Sequence, residues 1–264
     1  MALLVWVFSF LLLVFIPLIF LLPYAVHRGI TPTTPDYPRA LSEFALKDTT
    51  AIFLQVLATL PTHLLTFVAV WAVVTRFGKL PFWQTIGGSW GKRIGLKESI
   101  GIGVVLFILS SVVAHLLGGD KPTTLDAIIN SSPASRYMLL FLATFTAPFA
   151  EEFIYRGLLY ASLQRLIGKV GAVVIVLAMF TLVHVPQYLP NWGVIAAVGL
   201  LSIALTIVRA ASGRLLPCIV IHFVFNGIQS ILIVFGVSGQ KPKITPDQVT
   251  SLVLPLLHFL HFLN

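Results

Sequence analysis

Ala147-Pro148-Phe149-Ala150-Glu151-Glu152-Phe153-Ile154-Tyr155-Arg156-Gly157 is the stretch on which the reading of this chain turns. Two adjacent glutamates sit in a run that is otherwise uncharged from residue 137 to 159, except for an arginine one helical turn later. At membrane depth a carboxylate costs about 2.5 kcal/mol or more unless it is paired or wetted. Of the nine acidic residues in the chain, only Glu151 and Glu152 lie well inside an apolar run. The other seven lie in polar connections or at the ends of runs. Two carboxylates kept where they are expensive mark the place to look for chemistry.

Working outward, the 264 residues are 58% apolar and only 10% charged. Soluble domains carry about 25% charged residues, so the composition predicts an all-α, polytopic integral membrane protein. For a prokaryotic chain that means the cell membrane. Apolar runs near the ~20 residues that a spanning helix needs occur at 2–22, 50–74, 100–117, 137–160, 170–188, 192–208 and 215–237. An eighth run, 249–260, is short and is cut by Pro255. Seven to eight membrane helices are therefore expected. The first run has no basic residues before it and is longer than a signal-peptide core, so it reads as a membrane helix.

The net charge of +8 does not form a nucleic-acid patch, because the basic residues are scattered through short connections. They suit the positive-inside rule instead. With the connection 75–99 on the cytoplasmic side, nine Lys and Arg fall inside and seven in the longer outer loops. The expected partners are membrane lipid and a membrane-associated peptide or protein, and no nucleic acid. Cys218 is the single cysteine, which excludes a disulfide framework and a cysteine metal cluster. It reads as a small packing residue.

Three parts follow. Residues 1–136 hold membrane helices and loops, 137–237 a compact four-helix core, and 238–264 a loop and a short hydrophobic helix. The core is expected to be compact because its connections near Gly168, Pro190 and Ser212 are short, which forces consecutive helices to be antiparallel neighbours. In the first part, 23–48 is expected to carry a short surface helix, 75–98 to lie on the cytoplasmic face with Trp83 and Trp90 as interface anchors, and 118–136 to be a loop. Gly101-Ile102-Gly103 has no strand before it and reads as a close helix contact, not a phosphate loop.

Glu152 and Arg156 are four apart, share a helix face and are expected to pair. Glu151 is rotated about 100° away and points elsewhere. Pro148 has no amide hydrogen, which should orphan the carbonyl of Thr144 and kink the helix before the acids. Phe180-x-x-x-His184 closes the fifth run, and His222-x-x-x-Asn226 puts an imidazole and an amide on one face of the seventh. At 1.5 Å per residue, Glu151, His184, His222 and Asn226 lie roughly 12 to 21 Å from the inner ends of their helices. One carboxylate, two imidazoles and an amide at one depth are an inventory for activating water and holding an oxyanion. Water has to reach Glu151, so a polar cavity among the fourth, fifth and seventh runs is expected. His63, His115, His258 and His261 read as structural or interfacial.

These motifs, in this order and on these runs, resemble the CAAX prenyl protease and bacteriocin-processing (CPBP, or Abi) family of intramembrane peptidases. The resemblance covers 137–236. It implies peptide-bond hydrolysis near the C-terminus of a membrane-associated or prenylated (CAAX-type) substrate. Glu151 and His184 would activate water, His222 and Asn226 would stabilise the oxyanion, and Glu152–Arg156 would support them. The resemblance leaves the mechanism either glutamate-dependent without a cofactor or dependent on a zinc ion. The chain lacks His-Glu-x-x-His, and a zinc ion would take Glu151, His184 and His222 as ligands. The alternatives are a non-proteolytic bacteriocin-immunity or scaffold protein and an ion or proton carrier. A carrier should repeat its broken spans in both halves, whereas here the acids occupy one half.

Overall fold

In hydrocarbon every backbone N–H and C=O must be bonded internally, so each apolar run has to fold as a helix. The computed structural model describes residues 1–118 and 121–236, and every regular element among them is helical. In chain order these are α1 (Ala2–His27), α2 (Tyr37–Lys47), α3 (Thr49–Thr75), α4 (Phe82–Ile86), α5 (Leu96–Leu116), α6 (Thr124–Ser131), α7 (Pro133–Phe141), α8 (Ala147–Glu152), α9 (Tyr160–Tyr188), α10 (Trp192–Ser212) and α11 (Leu216–Val234). Two π-helical turns, Leu142–Thr146 and Phe153–Leu159, join α7 to α8 and α8 to α9.

Among the described residues six helices are long and apolar enough to cross a membrane: α1, α3, α5, the continuous Pro133–Tyr188, α10 and α11. The count differs from the expected seven because Pro133–Tyr188 takes in both the fourth and the fifth apolar run. It is not one straight rod. The rings of Tyr155 and Phe180 lie 5.0 Å apart, whereas a straight helix would separate these residues by about 37 Å. The reversal falls at Gly168, whose φ of 76° and ψ of 173° lie outside the helical region. A side chain is strained at that φ, and glycine is not. The run 249–260 lies outside the described residues, as do His258 and His261.

The lipid-facing surface shows in the exposed side chains. Leu4, Val68, Val105 and Val174 are each more than half exposed, an arrangement that suits acyl chains and not water. Inside, one buried cluster gathers Val70, Ile86, Phe153, Tyr155, Phe180 and Leu215. A second gathers Leu106, Leu201, Leu205, Cys218, Ile221 and Phe225. Cys218 is fully buried, with its thiol directed to the Leu205 carbonyl at 3.4 Å, in keeping with a packing role.

The connections are more ordered than hydropathy suggested. Segment 118–136 carries α6, started by a capping box in which Thr123 and Asp126 exchange side-chain bonds with each other's amides. The fourth run begins at Pro133, capped by the Ser132 side chain on the Ser135 amide. α4 docks beneath the second π turn: its buried Ile86 comes within 2.8 Å of where a Cβ on Gly157 would stand. Trp83 and Phe82 meet the ring of Phe153 edge-on at 5.9 and 5.3 Å. Arg209 fastens the same connection from α10, donating to Ile86 O and Gly213 O, each at 3.1 Å.

Of the two glycines at the start of α5, only Gly103 makes the expected close contact. A Cβ there would stand 2.9 Å from Val224 of α11, while Gly101 has open space. Gly103→Leu is expected to destabilise the protein by roughly 1–3 kcal/mol, the usual cost of overpacking, and Gly101→Leu to leave it unchanged. Unfolding of both variants in detergent compares them directly, and equal stabilities would remove this contact from the account.

Candidate active site

Pro148 shapes the backbone before the acids, though not as a simple kink. The first π turn places the Ala147 amide on Leu142 O. The next carbonyl, Ala143 O, would look in the same register to residue 148, where proline has no hydrogen to give. The orphaned acceptor is therefore Ala143 and not the Thr144 expected from α-helical spacing. Asn226 of α11 supplies the missing donor, with its Nδ2 2.8 Å from Ala143 O. Thr144 binds α11 as well, its hydroxyl 2.8 Å from Ser230 Oγ.

Past this turn the two glutamates diverge. Glu152 and Arg156 are both fully buried, and Nη1 donates to Oε1 at 2.9 Å. Arg156 also donates from Nη2 to Ser202 O at 2.9 Å and Ser202 Oγ at 3.1 Å, and from Nε to Thr206 Oγ1 at 3.3 Å. Its guanidinium lies 4.7 Å from the centre of the Phe180 ring, within cation–π range. The arginine is thus bonded on both sides, while Glu152 Oε2 is buried with no hydrogen-bond partner among the described residues. Ser202 and Thr206, one turn apart on α10, were not singled out from the sequence. Two hydroxyls four apart in an apolar run were the available signal.

Glu151 faces the other way. Its side chain is 24% exposed, with Oε1 4.0 Å from His184 Nε2 and Oε2 3.7 Å from His222 Nε2. Both gaps exceed hydrogen-bond range and lie within reach of one bridging oxygen. The far nitrogens are fixed. His184 Nδ1 is 2.7 Å from Phe180 O, a carbonyl that only accepts, so Nδ1 carries a proton and Nε2 is the nitrogen turned to Glu151. His222 Nδ1 donates to Glu152 Oε1 at 2.9 Å. His222 therefore stands between the two glutamates, one at each nitrogen. Tyr188 stacks on His184, with ring centres 6.4 Å apart.

Glu151, His184 and His222 thus meet, and Glu152, Arg156 and His222 form a second, buried set sharing one imidazole. Asn226 lies one turn beyond His222 on α11 and is tied by one amide hydrogen to Ala143. Among the described residues no group of three or more His, Cys, Asp or Glu is spaced to hold a metal ion. A cavity of about 410 Å³ opens between the fourth and seventh runs, lined by Phe141, Phe145, Phe223, Ile231 and Phe235 among others. Apart from Thr144 and Ser230 its walls are apolar, and no residue of the fifth run lines it. It is not the polar cavity among three runs that was expected.

Residues 133–228, about a third of the chain, match the family model described as type II CAAX prenyl endopeptidase, Rce1-like. The match agrees with the resemblance carried by the motifs, and all six candidate residues fall within it. No curated protein and no solved structure matches the chain. With its apolar helices, the chain is a multi-pass integral membrane protein whose residues 133–228 are similar to the CAAX-endopeptidase family model.

Proposed function

We propose that this protein is an intramembrane endopeptidase that cuts a peptide bond near the C-terminus of a membrane-associated, CAAX-type substrate. The observation that carries the reading is the arrangement around Glu151. A part-exposed carboxylate faces Nε2 of His184 at 4.0 Å, while the second glutamate is engaged in a buried ion pair with Arg156.

A water between Glu151 and His184 gives a proton to Glu151 as its oxygen attacks the substrate carbonyl. The developing oxyanion accepts from the second amide hydrogen of Asn226 and from His222 Nε2 when that ring carries both protons. Protonated Glu151 then hands its proton to the departing amine as the C–N bond breaks. Atoms balance: water supplies the hydroxyl of the new acid and the hydrogen of the new amine. The apolar cavity between the fourth and seventh runs has the size of a ligand site and abuts the Asn226–Ala143 bond through Thr144 and Gly227. It suits an isoprenoid chain beside the scissile peptide.

Peptide release by the purified protein tests this. A prenylated CAAX peptide is expected to lose its C-terminal fragment, the unprenylated peptide to react more slowly, and the rate to persist after chelation. Binding of the prenylated peptide without release would turn the reading towards the scaffold alternative. Loss of release on chelation, restored by zinc, would replace the metal-free route with the zinc-dependent one.

A further inference from the structure

The two ends of the helix bundle use their cations differently. At the end that holds α2 and α6, Arg39 and Lys47 bond to Glu43 at 3.1 and 2.9 Å, and Arg28 lies 3.9 Å from Asp48. Arg136 there donates to Ile129 O at 3.0 Å. At the opposite end, the connection between α3 and α5 carries Arg76, Lys79, Lys92, Arg93 and Lys97, all exposed. Among the described residues none of these five makes an ion pair or a side-chain hydrogen bond. Glu98 is the single acid in the connection, and its carboxylate accepts from the Gly95 amide at 2.9 Å. The turn at Gly168, which alternation of the helices brings to the same end, adds the exposed Arg165 and Lys169.

The positive-inside rule acts when the helices are oriented and asks nothing of these side chains afterwards. The backbone of the connection asks more. Arg76 and Phe77 both take positive φ, 52° and 57°, where a side chain is strained. Three bonds hold the turn: Phe77 N to Ala72 O, Gly78 N to Thr75 Oγ1 and Leu80 N to Thr75 O, each 2.8 Å. The outcome is a phenylalanine that is 79% exposed, between two free cations in the sequence. Trp83 and Trp90 follow, 49% and 39% exposed. The connection does not hang loose. Trp83 meets Phe153 edge-on, and the Leu215 amide donates to Gly87 O at 2.8 Å. Cations interleaved with exposed rings on a fixed backbone match a lipid surface, which takes charge at the headgroups and rings at the acyl boundary. An acidic peptide would use the cations and leave the rings bare.

We propose that the connection from Arg76 to Lys97 is a binding surface for anionic phospholipid headgroups, with Phe77, Trp83 and Trp90 seated at the acyl boundary. Lipid bound there favours the folded chain by mass action, because the same connection holds α4 against the second π turn. The surface stands whether or not Glu151 serves in peptide hydrolysis.

Native mass spectrometry and thermal unfolding of the purified full chain in detergent test this, with phosphatidylglycerol and phosphatidylcholine as probes. Phosphatidylglycerol is expected to be retained at least about tenfold more tightly, since each Lys or Arg near an anionic surface contributes roughly fivefold. It should also raise the melting temperature where phosphatidylcholine does not, and added salt should weaken the preference. Replacing Lys79, Lys92, Arg93 and Lys97 together by Gln is expected to abolish the preference and leave the lipid-free melting temperature unchanged, because no partner is lost. Phe77→Gly, which relieves the backbone, is expected to weaken phosphatidylglycerol retention about tenfold without lowering the lipid-free melting temperature. Equal retention of the two lipids by wild type, or a preference that survives in the quadruple variant, would overturn the proposal. So would a polyglutamate peptide that stabilises wild type where phosphatidylglycerol does not, which would assign the surface to an acidic protein partner. Should the quadruple variant fail to insert, the salt titration of wild type decides alone: a preference that molar salt leaves unchanged is not electrostatic and overturns the proposal.

Discussion

Glu151→Gln is expected to lower the single-turnover rate of peptide release by about 10²- to 10⁴-fold, the usual contribution of a positioned general base, and to leave folding intact. Glutamine keeps the length and shape of the side chain but cannot take a proton from water. The structural cost is small because Glu151 makes no direct hydrogen bond to either imidazole: its oxygens stand 4.0 and 3.7 Å from them. Its side chain is also 24% exposed, so no buried partner is stranded. Rate and melting temperature should therefore separate, with the first falling and the second holding. Activity near wild type in a well-folded variant would take Glu151 out of the chemistry and leave His184 as the remaining base.

Glu152 is expected to behave in the opposite way, and the sequence already held half of that contrast. Adjacent residues on a helix point about 100° apart, so one glutamate could pair with Arg156 and the other could not. Hydropathy located the runs, and rise per residue brought Glu151, His184 and His222 to one depth. What sequence spacing missed depends on backbone register. A π turn inserts a residue without changing composition or hydrophobic pattern, so nothing in Leu142–Thr146 announced that Ala143, not Thr144, would need Asn226. His63 reads as structural, and its partner is hidden from the sequence for a different reason. A lone histidine after Pro61 has no partner visible in sequence, and Thr146 lies 83 residues away. Arg209 falls among loop charges because hydropathy ends a run at a charge, yet its guanidinium turns back to hold the carbonyls of Ile86 and Gly213. α6 was legible in principle, since Thr123-x-x-Asp126 is a capping pattern, but the polarity around it read as loop.

Arg156→Ala is expected to destabilise the protein by roughly 3–5 kcal/mol, the range for removing one partner of a buried ion pair. The arginine donates four bonds, one to Glu152 and three to α10. Its loss strands the fully buried Glu152 carboxylate, whose Oε2 already has no hydrogen-bond partner. Arg156→Lys should recover little, because one ammonium cannot span Glu152, Ser202 and Thr206 as the planar fork does. The informative comparison is the double variant Glu152→Met with Arg156→Leu, which leaves His222 Nδ1 no acceptor at position 152. Taking both charges out of the interior removes the desolvation cost along with the attraction, so stability should return most of the way towards wild type. Activity should not return with it. His222 Nδ1 depends on Glu152 Oε1 at 2.9 Å, and without that carboxylate the ring facing Glu151 loses its fixed orientation. Unfolding in detergent and peptide release, measured on the same preparations, therefore test two roles in one pair. Equal stability of Arg156→Ala and wild type would remove the structural role. A double variant that recovers both stability and turnover would show that Glu152 does not serve the imidazole.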